Sequence, residues 1–147
     1  MVDFSKYEKD AESLNKVINV LYNKIMFVTP DEIMKEEVNI SKLSSELDEL
    51  DMKIIDKKSA LNKEVDNKST EEEYSEIEDK HNQTEELFYT LSKKVEILLS
   101  VLNKLYAIRV LAREPDNKKR LSKFEDMKSI ELEESFQPIK LYRLKRA

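Results

Sequence analysis

The sequence predicts an all-α protein: a long antiparallel helical hairpin of the coiled-coil type, a third N-terminal helix that completes a helical bundle, and an irregular C-terminal tail. Its 147 residues include no glycine and only three prolines, a composition typical of long helices with few turns. Apolar residues recur three and four positions apart in three runs, which is the spacing of one helix face. The phase of this repeat changes only where turn and capping signals occur.

The first run predicts a helix over residues 5–28. All eight of its core positions are apolar, which at 39% apolar content arises by chance in about one trial in two thousand per register. Ser5 and Glu8 have the spacing of a capping box. The core positions are Phe4, Tyr7, Ala11, Leu14, Ile18, Leu21, Ile25 and Val28.

The second run predicts a helix over residues 30–65. Thr29 can cap this helix, Pro30 suits its first position, and Glu32 can complete a capping box. Its core face is apolar apart from three polar positions, Glu36, Lys57 and Glu64. The apolar positions are Ile33, Ile40, Leu43, Leu47, Leu50, Ile54 and Leu61.

The third run predicts the longest helix, over residues 70–113, which ends before Pro115 because proline cannot continue it. Ser69 or Thr70 is the expected N-cap, with Glu72 or Glu73 as its reciprocal partner. The predicted bundle core contains one residue of the second helix and six of the third: Leu47, Phe88, Leu91, Val95, Leu98, Leu102 and Leu105.

The short connection between the second and third helices predicts an antiparallel hairpin. A turn centred on residue 68 would place Ile54 near His81 and Leu47 near Phe88. The third helix also has a second apolar stripe, which one partner helix cannot cover, so three or more helices are expected at the base of the hairpin. Its polar tip is expected to project as a two-helix arm. The stripe is Ile97, Val101, Ile108 and Leu111.

The first helix has two possible positions, either folded back on its own hairpin or packed against another chain. Val17, Val20, Met26 and Phe27 add more apolar surface than one partner helix needs, which favours some burial between chains. Homo- and hetero-oligomers both remain open. The residues predicted to bind a protein partner are Leu14, Val17, Ile18, Leu21, Ile25 and Phe27.

Residues 1–114 are thus predicted to be helical, and residues 115–147 form a distinct tail with nine basic and six acidic residues. Its alternating apolar stretches predict either a segment that docks on a partner or a terminus that orders only against the bundle. Nucleic acid or an anionic membrane is expected to bind, if at all, only through this tail. The predicted docking residues are Phe136, Ile139, Leu141, Tyr142 and Leu144.

The sequence offers little for catalysis. Without cysteine and with one histidine, it lacks the usual nucleophile and metal-ligand sets, so no catalytic residue, metal, cofactor or small-molecule substrate is expected. His81 is either a register-setting or pH-sensitive contact or, as favoured, a tolerated polar residue near a solvated tip. Eight acidic residues between positions 71 and 86 favour a solvated helix face over a binding site for a basic partner.

The expected function is that of a non-catalytic scaffold or tether subunit of a multiprotein assembly, which works through helix association and the docking tail. The alternative is an adaptor whose basic tail contacts nucleic acid or an anionic membrane. The sequence shows no secretory signal or membrane span, so an intracellular location in the cytoplasm or nucleus is expected.

Overall fold

The computed structural model describes residues 2–28 and 40–111, with side chains to Ala107, together with Leu132, Glu133 and Phe136. Three helices, α1 (Phe4–Met26), α2 (Ile40–Lys68) and α3 (Glu71–Leu111), pack together as a bundle. No strand occurs among these residues, and the predicted all-α class is confirmed. The expected start of the second helix at Pro30 and nearly all of the predicted tail lie outside the described residues.

The helix ends follow local capping rules, one of them as predicted. At the start of α3, the Thr70 backbone N–H donates to Glu73 Oε2 over 3.4 Å and the Glu73 N–H donates to Thr70 Oγ1 over 3.3 Å, which is a capping box. The capping box predicted at Ser5 is wrong. Asp3 caps α1 instead, by accepting the Lys6 N–H at 3.3 Å, because the helix already begins at Phe4.

Interhelical side-chain contacts establish the direction of α1. Asp10 lies 3.3 Å from the ammonium of Lys57 on α2, and Glu8 pairs with Lys80 on α3. Further along, Lys94 of α3 donates a hydrogen bond to Asn15 over 3.2 Å. On α2 the partners fall from Glu64, which pairs with Tyr7, to Lys57, and on α3 they rise from Lys80 to Lys94. Helix α1 therefore runs antiparallel to α2 and parallel to α3, on its own hairpin.

This position of α1 shows that the expected two-helix arm is wrong. Its first turns lie beside the hairpin tip and cover it with Phe4, Tyr7 and Ala11, which are all buried. The tip has few apolar residues of its own, but α1 supplies them, and its acidic side chains pair with Lys57 and Lys80. Helix α1 therefore stabilises the part of the hairpin that is polar in sequence.

The pairing of α2 with α3 differs from the expected register. Asn62 Oδ1, rather than Ile54, lies opposite His81, 2.8 Å from its Nε2 atom. Ile54 is eight positions away on the same helix, about 12 Å along its axis. The turn accounts for part of this shift, because α2 continues through Lys68 and only Ser69 and Thr70 connect it to α3. The hairpin thus turns later than expected, which moves the residue opposite His81 toward the tip.

The core runs along the interior of all three helices. Each of the seven residues predicted to form it is at most 1% exposed. Val101 of the second apolar stripe is fully buried, and Ile97 packs against the core. The side chains of Ile108 and Leu111 lie outside the described set. From α1, the core takes Phe4, Tyr7, Ala11, Ile18, Leu21, Tyr22 and Ile25.

Neighbouring residues of α1 test this packing, since Ile18 is fully buried whereas Val17 is 48% exposed. We expect Ile18→Ala to lower the free energy of unfolding by about 2–5 kcal/mol, because it leaves a cavity in the core. Val17→Ala should change it by less than about 0.5 kcal/mol. Urea denaturation at one protein concentration measures both, and losses of equal size would contradict the position of α1.

Candidate protein-interaction surface

A groove runs between α1 and α2 on the outside of the bundle, and we call it the α1–α2 groove. Its volume is about 270 Å³. Leu21 and Leu50 form a buried apolar floor, while Val17 and Val20 are 48% and 53% exposed along the α1 side. The rim consists of charged side chains from both helices: Lys24, Glu46, Glu49 and Lys53.

Polar pairing between α1 and α2 stops where this groove begins. Nearer the hairpin tip, Tyr7 pairs with Glu64 and Asp10 pairs with Lys57. Along the groove, α1 presents Val17 and Val20, followed by Lys24 in its last turn. Among the described residues, none of the four rim charges forms an ion pair. The groove therefore combines exposed apolar surface with charges of both signs that form no ion pair with the residues that the structure describes.

The structure divides the residues predicted for partner binding into two groups. Ile18, Leu21 and Ile25 are buried within the bundle, and Leu14 packs against its core. They are used inside the chain because α1 folds back on its own hairpin. Val17 and Phe27 remain exposed, Phe27 by 76%, and Val20 shares their outer face. The predicted set thus mixed core positions with flanking positions.

Sequence reasoning missed the α2 side of the groove. Glu46, Glu49 and Lys53 follow one another at spacings of three and four, so they share a flank of α2. The signal that could have identified this flank is that it continues into Lys57 and Glu64, two of the polar positions in the predicted apolar face. Both turn toward α1, where they meet Asp10 and Tyr7.

Tyr7 and Glu64 form a polar contact between α1 and α2 near the hairpin tip. The Tyr7 hydroxyl donates to Glu64 Oε2, and Lys68 Nζ donates to Glu64 Oε1 over 2.9 Å. Burial, followed by the hydrogen bond to Glu64, raises the pKa of Tyr7 to about 12. The hydrogen bonds from Tyr7 and then Lys68 hold the pKa of Glu64 below its ordinary value.

His81 makes a specific interhelical contact. Its Nε2 atom lies 2.8 Å from Asn62 Oδ1 and its Nδ1 atom 3.1 Å from the Tyr74 hydroxyl. The side chain is 13% exposed, and Glu85 Oε2 lies 3.5 Å from Nε2. Both ring nitrogens have partners, and one of these partners, Asn62, lies on α2. The geometry therefore favours a contact that fixes the register of the two helices over the tolerated, solvated residue that the sequence favours.

Phe136, one of the five predicted docking residues, packs on its own bundle. It is 2% exposed and stacks on Tyr22 of α1, with ring centroids 4.6 Å apart. Lys94 Nζ lies 5.2 Å from the centre of the Phe136 ring, within the range of a cation–π contact. Leu132 is also fully buried. The other four docking residues, Ile139, Leu141, Tyr142 and Leu144, lie outside the described residues.

Neither a metal-binding cluster nor a membrane-spanning helix occurs in the described parts of the chain. Residues 2–28 and 40–111 contain no group of three or more His, Asp or Glu side chains placed to hold a metal ion. Within the same segments, no helix has both the length and the apolar character needed to cross a bilayer. No family model matches the chain, and neither a curated protein nor a solved structure matches it. The α1–α2 groove is therefore argued from its own geometry.

Replacing Tyr7 by Phe tests the contact with Glu64. We expect Tyr7→Phe to lower the free energy of unfolding by about 1 kcal/mol at neutral pH. Because the folded pKa of Tyr7 is raised from 10.0 to about 12, its contribution is complete below pH 10 and is lost as the pH rises toward 12. Glu64 has the opposite dependence. Because its pKa is lowered in the folded state, its contribution to stability is present above its ordinary pKa and is lost as the pH falls through the folded pKa.

The Tyr7→Phe variant should therefore lack the fall in stability that Tyr7 causes in the wild type at alkaline pH. Its fall in stability in acid should also be smaller. Urea denaturation between pH 3 and 12 would measure this. Tyr106→Phe is the matched control, because Tyr106 is 55% exposed, and it should follow the wild-type profile. An alkaline loss of equal size in Tyr7→Phe and the wild type would contradict the burial of Tyr7, and an unchanged acidic loss would contradict its hydrogen bond to Glu64.

Lys94 supplies a prediction of opposite sign. It is 6% exposed, and burial lowers its pKa because the charged form loses hydration. Because the pKa of Lys94 is lower in the folded state, the fold is most stable above the ordinary lysine pKa of 10.5. Its stability decreases as the pH falls through the folded pKa, where the buried amine becomes charged. We expect Lys94→Met to be more stable than wild type at pH 7 by about 1 kcal/mol.

That difference should shrink as the pH rises through 10.5, because above that value the wild-type amine is neutral in both the folded and the unfolded state. Thermal denaturation at several pH values would measure it. Lys93→Met is the control, because Lys93 is exposed and should show no comparable gain. A Lys94→Met variant less stable than wild type at pH 7 would mean that the contacts with Asn15 and Phe136 outweigh the cost of burial.

Proposed function

We propose that this protein is a non-catalytic scaffold or tether subunit of a multiprotein assembly and that it binds partner helices in the α1–α2 groove. The observation that carries the proposal is the groove itself. Exposed Val17 and Val20 adjoin a buried apolar floor, and the rim charges have no ion-pair partner in the described parts of the chain. An amphipathic helix that lies in such a groove covers the apolar residues and supplies the missing charges.

The apolar surface continues along α1 beyond the groove. Val20 and Phe27 are seven residues apart, two helical turns, and therefore lie on one stripe. Phe27, at the C-terminal end of α1, is 76% exposed. Single exposed apolar residues are common on protein surfaces. Val17, Val20 and Phe27 together, on one stripe beside an open groove, offer a partner a continuous apolar surface. This favours side-by-side packing of a partner helix along α1.

The bundle is also long and firmly packed, which suits a spacer or tether. α3 has 41 residues and is about 60 Å long. Buried side chains hold it to α1 and α2 along much of that length. A partner bound in the groove would thus be held on a rigid rod, which suits a spacer or tether. The fold supplies distance and orientation, and the groove supplies the attachment.

Disrupting the apolar side of the groove tests the proposal. We expect Val17→Asp/Val20→Asp to lose the partners that co-purify with the tagged wild-type chain from its native cells, because the carboxylates would have to be buried on binding. Met52→Asp is the matched control, since Met52 is 59% exposed on α2 and does not line the groove. Circular dichroism should show that all three chains are equally helical.

Loss of partners from the Val17→Asp/Val20→Asp chain alone supports the proposal. Identical partners on all three chains would contradict it. The adaptor function would replace it if the captured material were nucleic acid or anionic lipid that is released steeply by salt and by truncation after Glu114.

A further inference from the structure

We propose that the α1–α2 groove binds the same groove of a second copy of this chain, so that the protein forms a two-fold symmetric dimer with antiparallel α2 helices. This inference rests on the proposed function in one respect, that the groove is a binding surface. It goes further by naming the occupant. The order of the charges on the rim and the position of the valines between them point to a second copy of the chain.

The charges of α2 are complementary to themselves when the helix is reversed. Glu46 and Lys53 are seven residues apart, so both lie on the flank that faces the groove. A two-fold axis perpendicular to α2 and midway between them reverses the helix in the second copy. Lys53 of one chain then lies opposite Glu46 of the other, and the reverse pair forms as well. Glu46 and Lys53, which form no ion pair among the described residues, thus find partners in another copy.

The valines lie at the centre of this arrangement. The Asp10–Lys57 pair, at 3.3 Å, sets the level of α1 against α2. Counted along the antiparallel helices from this pair and from Tyr7–Glu64, Val17 lies at the level of residues 50–54 and Val20 at the level of residues 47–51. The midpoint between Glu46 and Lys53 therefore falls beside the two valines. The same axis therefore brings Val17 and Val20 of the two copies together. An apolar centre with a charged rim is the usual anatomy of a protein interface.

Two features limit the strength of this dimer. Glu49 lies close to the proposed axis, so the carboxylates of the two copies approach each other there and oppose association. The apolar centre consists of small side chains, two valines from each chain. We therefore expect a dissociation constant on the order of micromolar rather than nanomolar. Self-association should be visible as a monomer–dimer equilibrium that depends on protein concentration.

A charge exchange tests the pairing. Glu46→Lys and Lys53→Glu each place like charges opposite each other in both rim pairs of a homodimer. Each variant alone should therefore be monomeric at concentrations where the wild type dimerises. An equimolar mixture should dimerise, because Glu46→Lys chains present two lysines to the two glutamates of Lys53→Glu chains. The double variant Glu46→Lys/Lys53→Glu is self-complementary again and should also dimerise.

Sedimentation velocity of the full chain from about 1 μM to about 500 μM measures these equilibria. The control is Asp56→Lys, which makes the same charge change as Glu46→Lys at an exposed position of α2 outside the groove and should dimerise like the wild type. A monomeric wild type over the whole range overturns the inference. So does a dimer that neither single substitution weakens, or a mixture of the two folded variants that stays monomeric.

The results also separate this inference from the proposed function. A groove-dependent dimer that captures no other protein supports the second copy as occupant and contradicts the role in a multiprotein assembly. Partners that require Val17 and Val20, captured by a chain that stays monomeric, support that role and overturn the dimer.

Discussion

Burial of the inner face of α1 against its own hairpin is the constraint on which the other features of the bundle depend. Ile18 and Ile25 are fully buried there, and Tyr7 carries the same packing to the tip, where it meets Glu64. Since a helix has one inner face, this packing directs Val17, Val20 and Phe27 outward. The α1–α2 groove exists because α1 lies antiparallel to α2 and presents valines at the level where α2 presents Glu49 and Lys53.

Periodicity predicted the helices well because it records which face of each helix is buried. The eight apolar positions of the first run and the capping box at Thr70 were sufficient to locate α1 and the start of α3. The same periodicity could not say which helix covers a face. It therefore favours burial of α1 between chains, although the inner face of α1 packs within one chain, and it predicts a free arm at the polar tip.

The remaining differences concern polar residues, whose partners are distant in sequence. Lys57 and Glu64 interrupt an apolar face in the sequence pattern, and they are the residues that meet Asp10 and Tyr7 between α1 and α2. His81 was interpreted as solvated but contacts Asn62, and this contact revealed the error in register. The α2 side of the groove escaped prediction for the same reason, because charges on a flank become a site only when the neighbouring helix is in place.

The central claim is that one face of α1 stabilises the fold while the adjacent face is free for association. Isotope-filtered nuclear Overhauser spectra of a mixture of labelled and unlabelled chains measure this directly. The methyl groups of Ile18 and Ile25 should show contacts to α2 and α3 only within a chain, whereas those of Val17 and Val20 should show contacts between chains. Contacts between chains from Ile18 and Ile25 would contradict the account, because α1 would then belong to the bundle of another copy.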